Sequence, residues 1–211
     1  MRIRQFIKSL NNTEIGKGGT HECYVLVSTK VENIENIFDS TNRRPSFVNL
    51  KNGGIVNSVH ITTGREFRVN GLGDFYRSNN VNAGDEIIFE RQDDGTKTEF
   101  YTNLNIKENS IIFQKNNSGF EVLNSDRLTL FMSKNRYQDE VNYNGSSGLF
   151  VIEFKVSAKK RSDSPDETNF YTISFNDQDI SNDLKKNEYL ELSNKILKKV
   201  VVWQSYEFNF E

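Results

Sequence analysis

The chain has 211 residues and a mass of 24.4 kDa, which excludes a peptide-sized or disulfide-stapled scaffold and allows one large domain or two small ones. Hydrophobic residues make up only 35% of the chain, but 12% of all residues are aromatic and two are proline, so the composition is that of a folded protein. A formal net charge of −2, one cysteine and two histidines argue against a uniformly basic chain, an internal disulfide and a structural zinc site.

Short runs of β-branched and aromatic residues, bounded by Gly, Asn, Asp and Ser, predict strands along the whole chain. Apolar residues recur at helical spacing at 31–38 and at 180–200. The predicted strands lie at residues 23–27, 58–61, 66–69, 86–90, 99–102, 111–113, 128–132, 149–155, 170–175 and 200–203. The predicted class is therefore mostly β with about two short helices.

Two similar segments, 84–102 and 148–172, each predict a β-hairpin. Their similarity leaves open that the chain is a tandem of two related β-modules. A polar stretch at 107–110 separates two clusters of predicted strands, so we place the domain boundary there. The prediction is one domain at 1–107 and a second β-rich module at 108–211.

Residues 8–22, KSLNNTEIGKGGTHE, form the most unusual stretch of the chain. Three glycines, a lysine and a histidine allow backbone amides to approach an anion while a cation neutralises it. The segment is not a nucleotide-binding P-loop, because the spacing GxxxxGK followed by Ser or Thr is absent. A plain turn ahead of a strand is the alternative interpretation.

Residues 62–77, TTGREFRVNGLGDFYR, form the second unusual stretch. In a strand, alternation puts Glu66, Arg68 and Asn70 on one face, opposite Arg65, Phe67 and Val69. Arg, Glu and Asn are residue types that hydrogen-bond to base edges in the major groove. Six basic residues against two acidic ones at 43–77 also predict a local basic surface, although a solvated face with a cross-strand salt bridge explains the same pattern.

Together the two stretches resemble the N-terminal effector, or specificity, domain of EcoRII-type restriction endonucleases. The first arm of that domain has an acidic residue, then Gly, a glycine pair and a His before the first core strand, as at Glu14 to His21. About 44 residues later comes a second arm with Glu, a spacer, Arg and an aliphatic residue, as at 66–69. The resemblance covers about residues 5–107, where Thr20 and Glu22 depart from the family pattern.

The resemblance implies a seven-stranded open DNA-binding pseudobarrel, shared with plant transcription factors, whose two arms grip the major groove. It implies double-stranded DNA as the partner, with a catalytic or motor part of a bacterial restriction-modification system lying elsewhere. The implied DNA-binding residues are Lys8, Asn12, Glu14, Lys17 and His21 in the first arm, and Arg65, Glu66, Arg68 and Asn70 in the second. On this interpretation the chain is not itself an enzyme and needs no cofactor or metal.

Two alternatives remain open from the sequence. Glu153, Phe154 and Lys155 end a hydrophobic strand in the order carboxylate, spacer, lysine, which with Asp139 would suit a small magnesium-dependent nuclease. A β interaction module without a nucleic-acid role is the other. No apolar run approaches the roughly 18 residues of a membrane span, and residues 1–10 lack a signal-peptide core, so we expect a cytoplasmic protein.

Overall fold

The computed structural model describes residues 1–17, 21–28, 30–31, 37–38, 42–125, 135–159 and 167–210. The chain divides into two compact units. The first unit comprises Met1–Lys107 together with Trp203–Glu211, and the second comprises Glu108–Val202. Residues 203–211, predicted as part of the second module, therefore belong to the first unit, because the strand at 203–209 pairs with the N-terminal strand of that unit.

The structure is mostly β, as predicted, and the description below uses strand labels in chain order. The strands are β1 (Arg2–Ser9), β2 (Tyr24–Val27), β3 (Phe47–Asn49), β4 (Ile55–Val56), β5 (His60–Thr62), β6 (Phe67–Asn70), β7 (Glu86–Asp93), β8 (Thr98–Asn105), β9 (Ser110–Lys115), β10 (Phe120–Val122), β11 (Arg136–Tyr143), β12 (Ser146–Lys159), β13 (Glu167–Phe175), β14 (Gln178–Asp179), β15 (Tyr189–Ser193), β16 (Ile196–Val200) and β17 (Trp203–Asn209). An α-helix, α1, spans Gly73–Ser78, and a 3-10 helix spans Ile180–Asp183.

The first unit contains two sheets. A six-stranded sheet has the order β17-β1-β7-β8-β3-β4, and a three-stranded antiparallel sheet has the order β2-β6-β5. Alternating apolar side chains of both sheets meet in one core, where the ring of Phe38 lies 5.3 Å from that of Phe89 and 6.0 Å from that of Phe6. Burying each such aromatic side chain stabilises the fold by about 1.5–3 kcal/mol. One face of the three-stranded sheet packs against this core.

The second unit contains a closed barrel of seven strands. Its order is β10-β9-β15-β16-β11-β12-β13, and a pairing of β10 with β13 closes it. Its inward side chains, among them Phe113, Phe150 and Ile173, form a second hydrophobic core. The predicted seven-stranded open pseudobarrel at 1–107 thus differs from the structure, since the described part of the first unit has nine strands in two sheets and the seven-stranded barrel is closed and lies in the other unit.

Both predicted hairpins are confirmed, as β7 with β8 and β12 with β13. The predicted helix at 180–200 is wrong: one turn of 3-10 helix precedes the hairpin of β15 and β16, whose two-residue turn is made by Asn194 and Lys195 with positive φ. Within the second unusual stretch, the residues after β6 form the helix α1. Most of the predicted helix at 31–38 and the whole predicted strand at 128–132 lie outside the described residues.

Candidate nucleic-acid interface

One face of the three-stranded sheet carries polar side chains that are exposed or half-buried, beside the buried Tyr24 and half-buried Leu26, and we call it the outer face. The register places Leu26, Arg68 and Thr62 side by side across the sheet, and Tyr24, Asn70 and His60 in the next row. The opposite face carries Val25, Val27, Ile61, Phe67 and Val69, which belong to the core of the unit or pack against it. The predicted separation of Arg68 and Asn70 from Phe67 and Val69 is confirmed, because Val69 belongs to the core and Phe67 packs against it.

Arg68 is held in place by two neighbours on the outer face. Its guanidinium donates from Nε to Glu66 Oε2 at 2.9 Å and from Nη2 to the same oxygen. Its Cζ lies 4.5 Å from the ring centroid of Tyr24, a cation–π contact. The hydrogen bonds to Glu66 raise the pKa of Arg68, and burial raises the pKa of Tyr24. Among the described residues no group accepts from Nη1, so this end of the guanidinium is available to a ligand.

Asn70 is also held by its surroundings. Its side-chain Nδ2 lies 3.0 Å from Thr62 Oγ1, 3.4 Å from the carbonyl oxygen of His60 and 3.5 Å from that of Arg68. The ring of His60 contacts the carbonyl oxygen of Ser58 through Nδ1 at 3.1 Å, which fixes that ring as well. The outer face therefore presents polar groups whose orientation is set before any ligand binds.

The first arm contains a buried ion pair. Lys8 Nζ lies 3.1 Å from Glu14 Oε1, and the two side chains are only 9% and 1% exposed. The Glu14 carboxylate also accepts the backbone N–H groups of Asn11 and Leu26, at 3.1 and 2.9 Å. The carbonyl oxygen of Glu14 accepts the N–H of Tyr24 at 3.0 Å, so this residue covers the free edge of β2. Lys8 and Glu14 thus fix the arm to the sheet, and neither is exposed for a direct DNA contact.

Three other predicted residues of the first arm are accessible. Lys17 and His21 are exposed and Asn12 is half-buried, whereas residues 18–20 lie outside the described residues. His21 lines a cleft of about 570 Å³ together with Cys23, Tyr76 and Arg77. Burial raises the pKa of the Cys23 thiol, an effect that the positive charge of Arg77 opposes.

Exposed basic side chains flank the outer face. Arg65 lies in the turn between β5 and β6, next to Glu66. The carbonyl oxygen of Arg43 accepts the N–H of Ile61 at 2.8 Å, so Arg43 and its exposed neighbour Arg44 lie beside the edge strand β5. Sequence reasoning found these residues as a charge cluster. It missed Tyr24, Thr62 and His60, although the alternation of residues 58–62 contained the signal.

The two carboxylates of the nuclease alternative, Asp139 and Glu153, lie on opposite faces of the sheet. Arg136 pairs with Glu153 across β11 and β12, and their side chains form an ion pair at 3.2 Å. Asp139 lies three residues further along β11, on the other face of the strand, where it contacts Tyr137 Oη at 3.2 Å and Lys195 Nζ at 3.3 Å. Within the described residues no group of three or more His, Cys, Asp and Glu side chains could hold a metal ion.

The described part of the chain has no helix that is both long enough and apolar enough to cross a membrane. Comparison with known proteins finds no family model, curated protein or solved structure that matches this chain.

Proposed function

We propose that the chain recognises specific sequences in double-stranded DNA, as the targeting module of a bacterial restriction-modification system whose catalytic or motor part lies elsewhere. The observation that supports this most is the outer face of the three-stranded sheet, where Arg68 and Asn70 present oriented polar groups. Both residue types hydrogen-bond to base edges in the major groove. The proposed site of action is the cytoplasm, and the chain itself carries out no chemistry.

The major groove, about 12 Å wide, admits a two-stranded β-ribbon, and β6 with one neighbouring strand about 4.8 Å away has that width. Arg68 and Asn70 are two residues apart on one strand, about 6.7 Å, which is close to the axial rise of two base pairs. In the proposed complex these two side chains contact bases that lie within about two base pairs of each other.

The flanking residues supply the remaining contacts in the proposal. Arg65 and Arg43 are exposed cations next to the outer face, and Lys17 is an exposed cation of the first arm. We assign all three to phosphates, which position a protein without reading sequence. We keep His21, Asn12 and Glu66 as proposed DNA contacts around the outer face. Lys8 and Glu14 are kept as structural residues, because their burial leaves them no access to a groove.

Selection of bound duplexes from a random pool tests the proposal without any guess about the site. We expect one enriched sequence, whose affinity falls with salt by about 0.9 log units per log unit of salt for each phosphate contact. Arg136→Ala is the matched control for Arg68→Ala, since Arg136 also forms an exposed ion pair with a Glu, in the other unit. A pool that shows no enrichment, or binding that is independent of salt, would contradict the proposed function.

A further inference from the structure

The amide of Asn70 has one orientation on the outer face. Its nitrogen lies near three oxygen atoms, and two of these are the backbone carbonyl oxygens of His60 and Arg68. A carbonyl oxygen only accepts hydrogen bonds, so the reverse orientation would place the side-chain oxygen of Asn70 against two other acceptors. The third partner, Thr62 Oγ1 at 3.0 Å, makes the one contact of ordinary hydrogen-bond length.

This orientation decides what Asn70 offers to a ligand. The amide N–H groups are directed toward Thr62 and the two carbonyl oxygens, whereas Oδ1 accepts no hydrogen bond from any described residue. Asn70 therefore offers an acceptor at Oδ1, whereas its amide nitrogen is engaged by Thr62 and the two carbonyl oxygens. Arg68, two residues earlier on the same face, presents donors at Nη1.

We infer that Asn70 acts only as a hydrogen-bond acceptor, held so by Thr62, and that the base it contacts is adenine or cytosine. In the major groove, adenine N6 and cytosine N4 are the donors, whereas guanine and thymine present acceptors at O6, N7 and O4. The familiar bidentate pairing of Asn with adenine also needs an amide N–H for N7, and that donor is already bound. Asn70 thus accepts adenine and cytosine alike, within about two base pairs of the guanine contacted by Arg68.

Thr62 is a positioning residue in this scheme. When Thr62→Val removes the acceptor at 3.0 Å, only the two longer contacts to carbonyl oxygens remain. One amide N–H then becomes available to adenine N7, and the pairing with adenine can become bidentate. The preference at this position should shift from adenine or cytosine toward adenine by about fivefold or more, which is the low end of what a bidentate pair contributes.

The inference rests on the proposed function, and its test begins with the duplex that selection yields. The base position facing Asn70 is the one whose preference disappears in Asn70→Ala. At that position the wild type should bind adenine and cytosine within about threefold of each other and guanine and thymine about tenfold more weakly. N6-methyladenine or N4-methylcytosine should bind as weakly as guanine, because the one remaining N–H of the amino group is used in the Watson–Crick pair.

Thr63→Val is the matched control, since Thr63 is an exposed threonine that no strand includes. We expect it to leave every base preference unchanged, whereas Thr62→Val changes one position only. The inference is overturned if the wild type prefers adenine to cytosine tenfold, if methylation of the amino group has no effect, or if Thr62→Val lowers binding to all duplexes equally. If a duplex is selected but Asn70→Ala alters no base preference, the proposed function stands and this inference fails.

Discussion

Each arm contains an acid and a base in contact, and the two pairs differ in burial. Lys8 and Glu14 in the first arm are 9% and 1% exposed, whereas Arg68 and Glu66 in the second are 35% and 42% exposed. Both pairs are close enough for direct hydrogen bonds. A buried ion pair whose carboxylate also accepts backbone N–H groups holds the chain in place, and an exposed pair leaves part of each side chain accessible. An acid–base pair therefore supports the chain in the first arm, and in the second arm it leaves polar groups accessible to the proposed DNA ligand.

The burial difference also sets how much each pair contributes to stability. Removing one partner of a buried pair leaves an uncompensated charge away from water and costs about 3–5 kcal/mol. Exposed pairs contribute only about 0–1 kcal/mol to the free energy of unfolding, because water and salt screen their charges. The comparison can be tested by removing the acid from each arm in turn.

The largest effect is expected for Glu14→Ala. This change leaves the Lys8 ammonium unpaired and removes the acceptor for the N–H groups of Asn11 and Leu26, so the first unit should lose about 3–5 kcal/mol of its free energy of unfolding. The measurement is urea denaturation followed by the fluorescence of the only tryptophan, Trp203, which packs against the core of that unit.

Glu66→Ala is the control for this experiment, with an expected change of at most about 1 kcal/mol. Equal losses for the two variants would show that burial does not distinguish the arms. Both variants keep Trp203, so the same signal compares them directly.

The next largest effect is expected for Gly71→Ala, at the end of the strand that carries Arg68. Gly71 has a φ of +81°, and a Cβ there would lie 2.0 Å from the carbonyl oxygen of Ser58. Ala should therefore cost at least about 3 kcal/mol, from backbone strain and displacement of the segment before β5, again measured by Trp203 fluorescence.

Gly53→Ala separates the two contributions. Gly53 has a similar φ of +71°, but a Cβ there meets no atom within 4 Å. Gly53→Ala should lower the free energy of unfolding by about 1–2 kcal/mol, from backbone strain alone. If the two variants lose the same free energy of unfolding, the close approach of Ser58 to Gly71 does not add to the effect of backbone strain.

Local patterns in the sequence predicted more of the second arm than of the first. The alternation at 66–70 is a period of two, so it placed Arg68 and Asn70 opposite Phe67 and Val69 without knowledge of the neighbouring strands. The burial of Glu14 depends on β2 and on Lys8, which lies at the other end of the arm, and no local pattern encodes such a contact. A motif matched residue by residue therefore gave no indication that the Glu14 carboxylate is buried.

The same reasoning explains the errors at the C-terminus. Apolar residues at 180–200 fit a helical period, but the turn at Asn194 and Lys195 and the pairing of β15 with β9 favour strands. The strand β17 pairs with β1, about 200 residues away, and Arg4 contacts Glu207 at 2.9 Å. Such long-range pairing leaves no mark in the composition of either segment, so the domain assignment of 203–211 could not follow from local signals.

Arg68→Ala should have a smaller effect, confined to binding. Loss of the proposed bidentate contact to guanine should cost about 1–3 kcal/mol of binding free energy on the selected duplex and much less on random DNA, because only the correct sequence supplies that contact. Titration of both duplexes with the variant, with Arg136→Ala as the control, measures the difference. If the variant loses the same affinity for both duplexes, the second arm binds DNA only through its charge.

The smallest effect is expected for Lys17→Ala. Lys17 is exposed, and its backbone N–H is bound to the carbonyl oxygen of Asn12 at 2.9 Å, so removing the side chain leaves the turn intact. As a proposed phosphate contact it carries no sequence information, and its loss should weaken selected and random duplexes by the same factor. The slope of log affinity against log salt should become shallower by about 0.9, the contribution of one phosphate. If Lys17→Ala weakens only the selected duplex, Lys17 contacts a base and not a phosphate, and the division of roles proposed for the two arms is wrong.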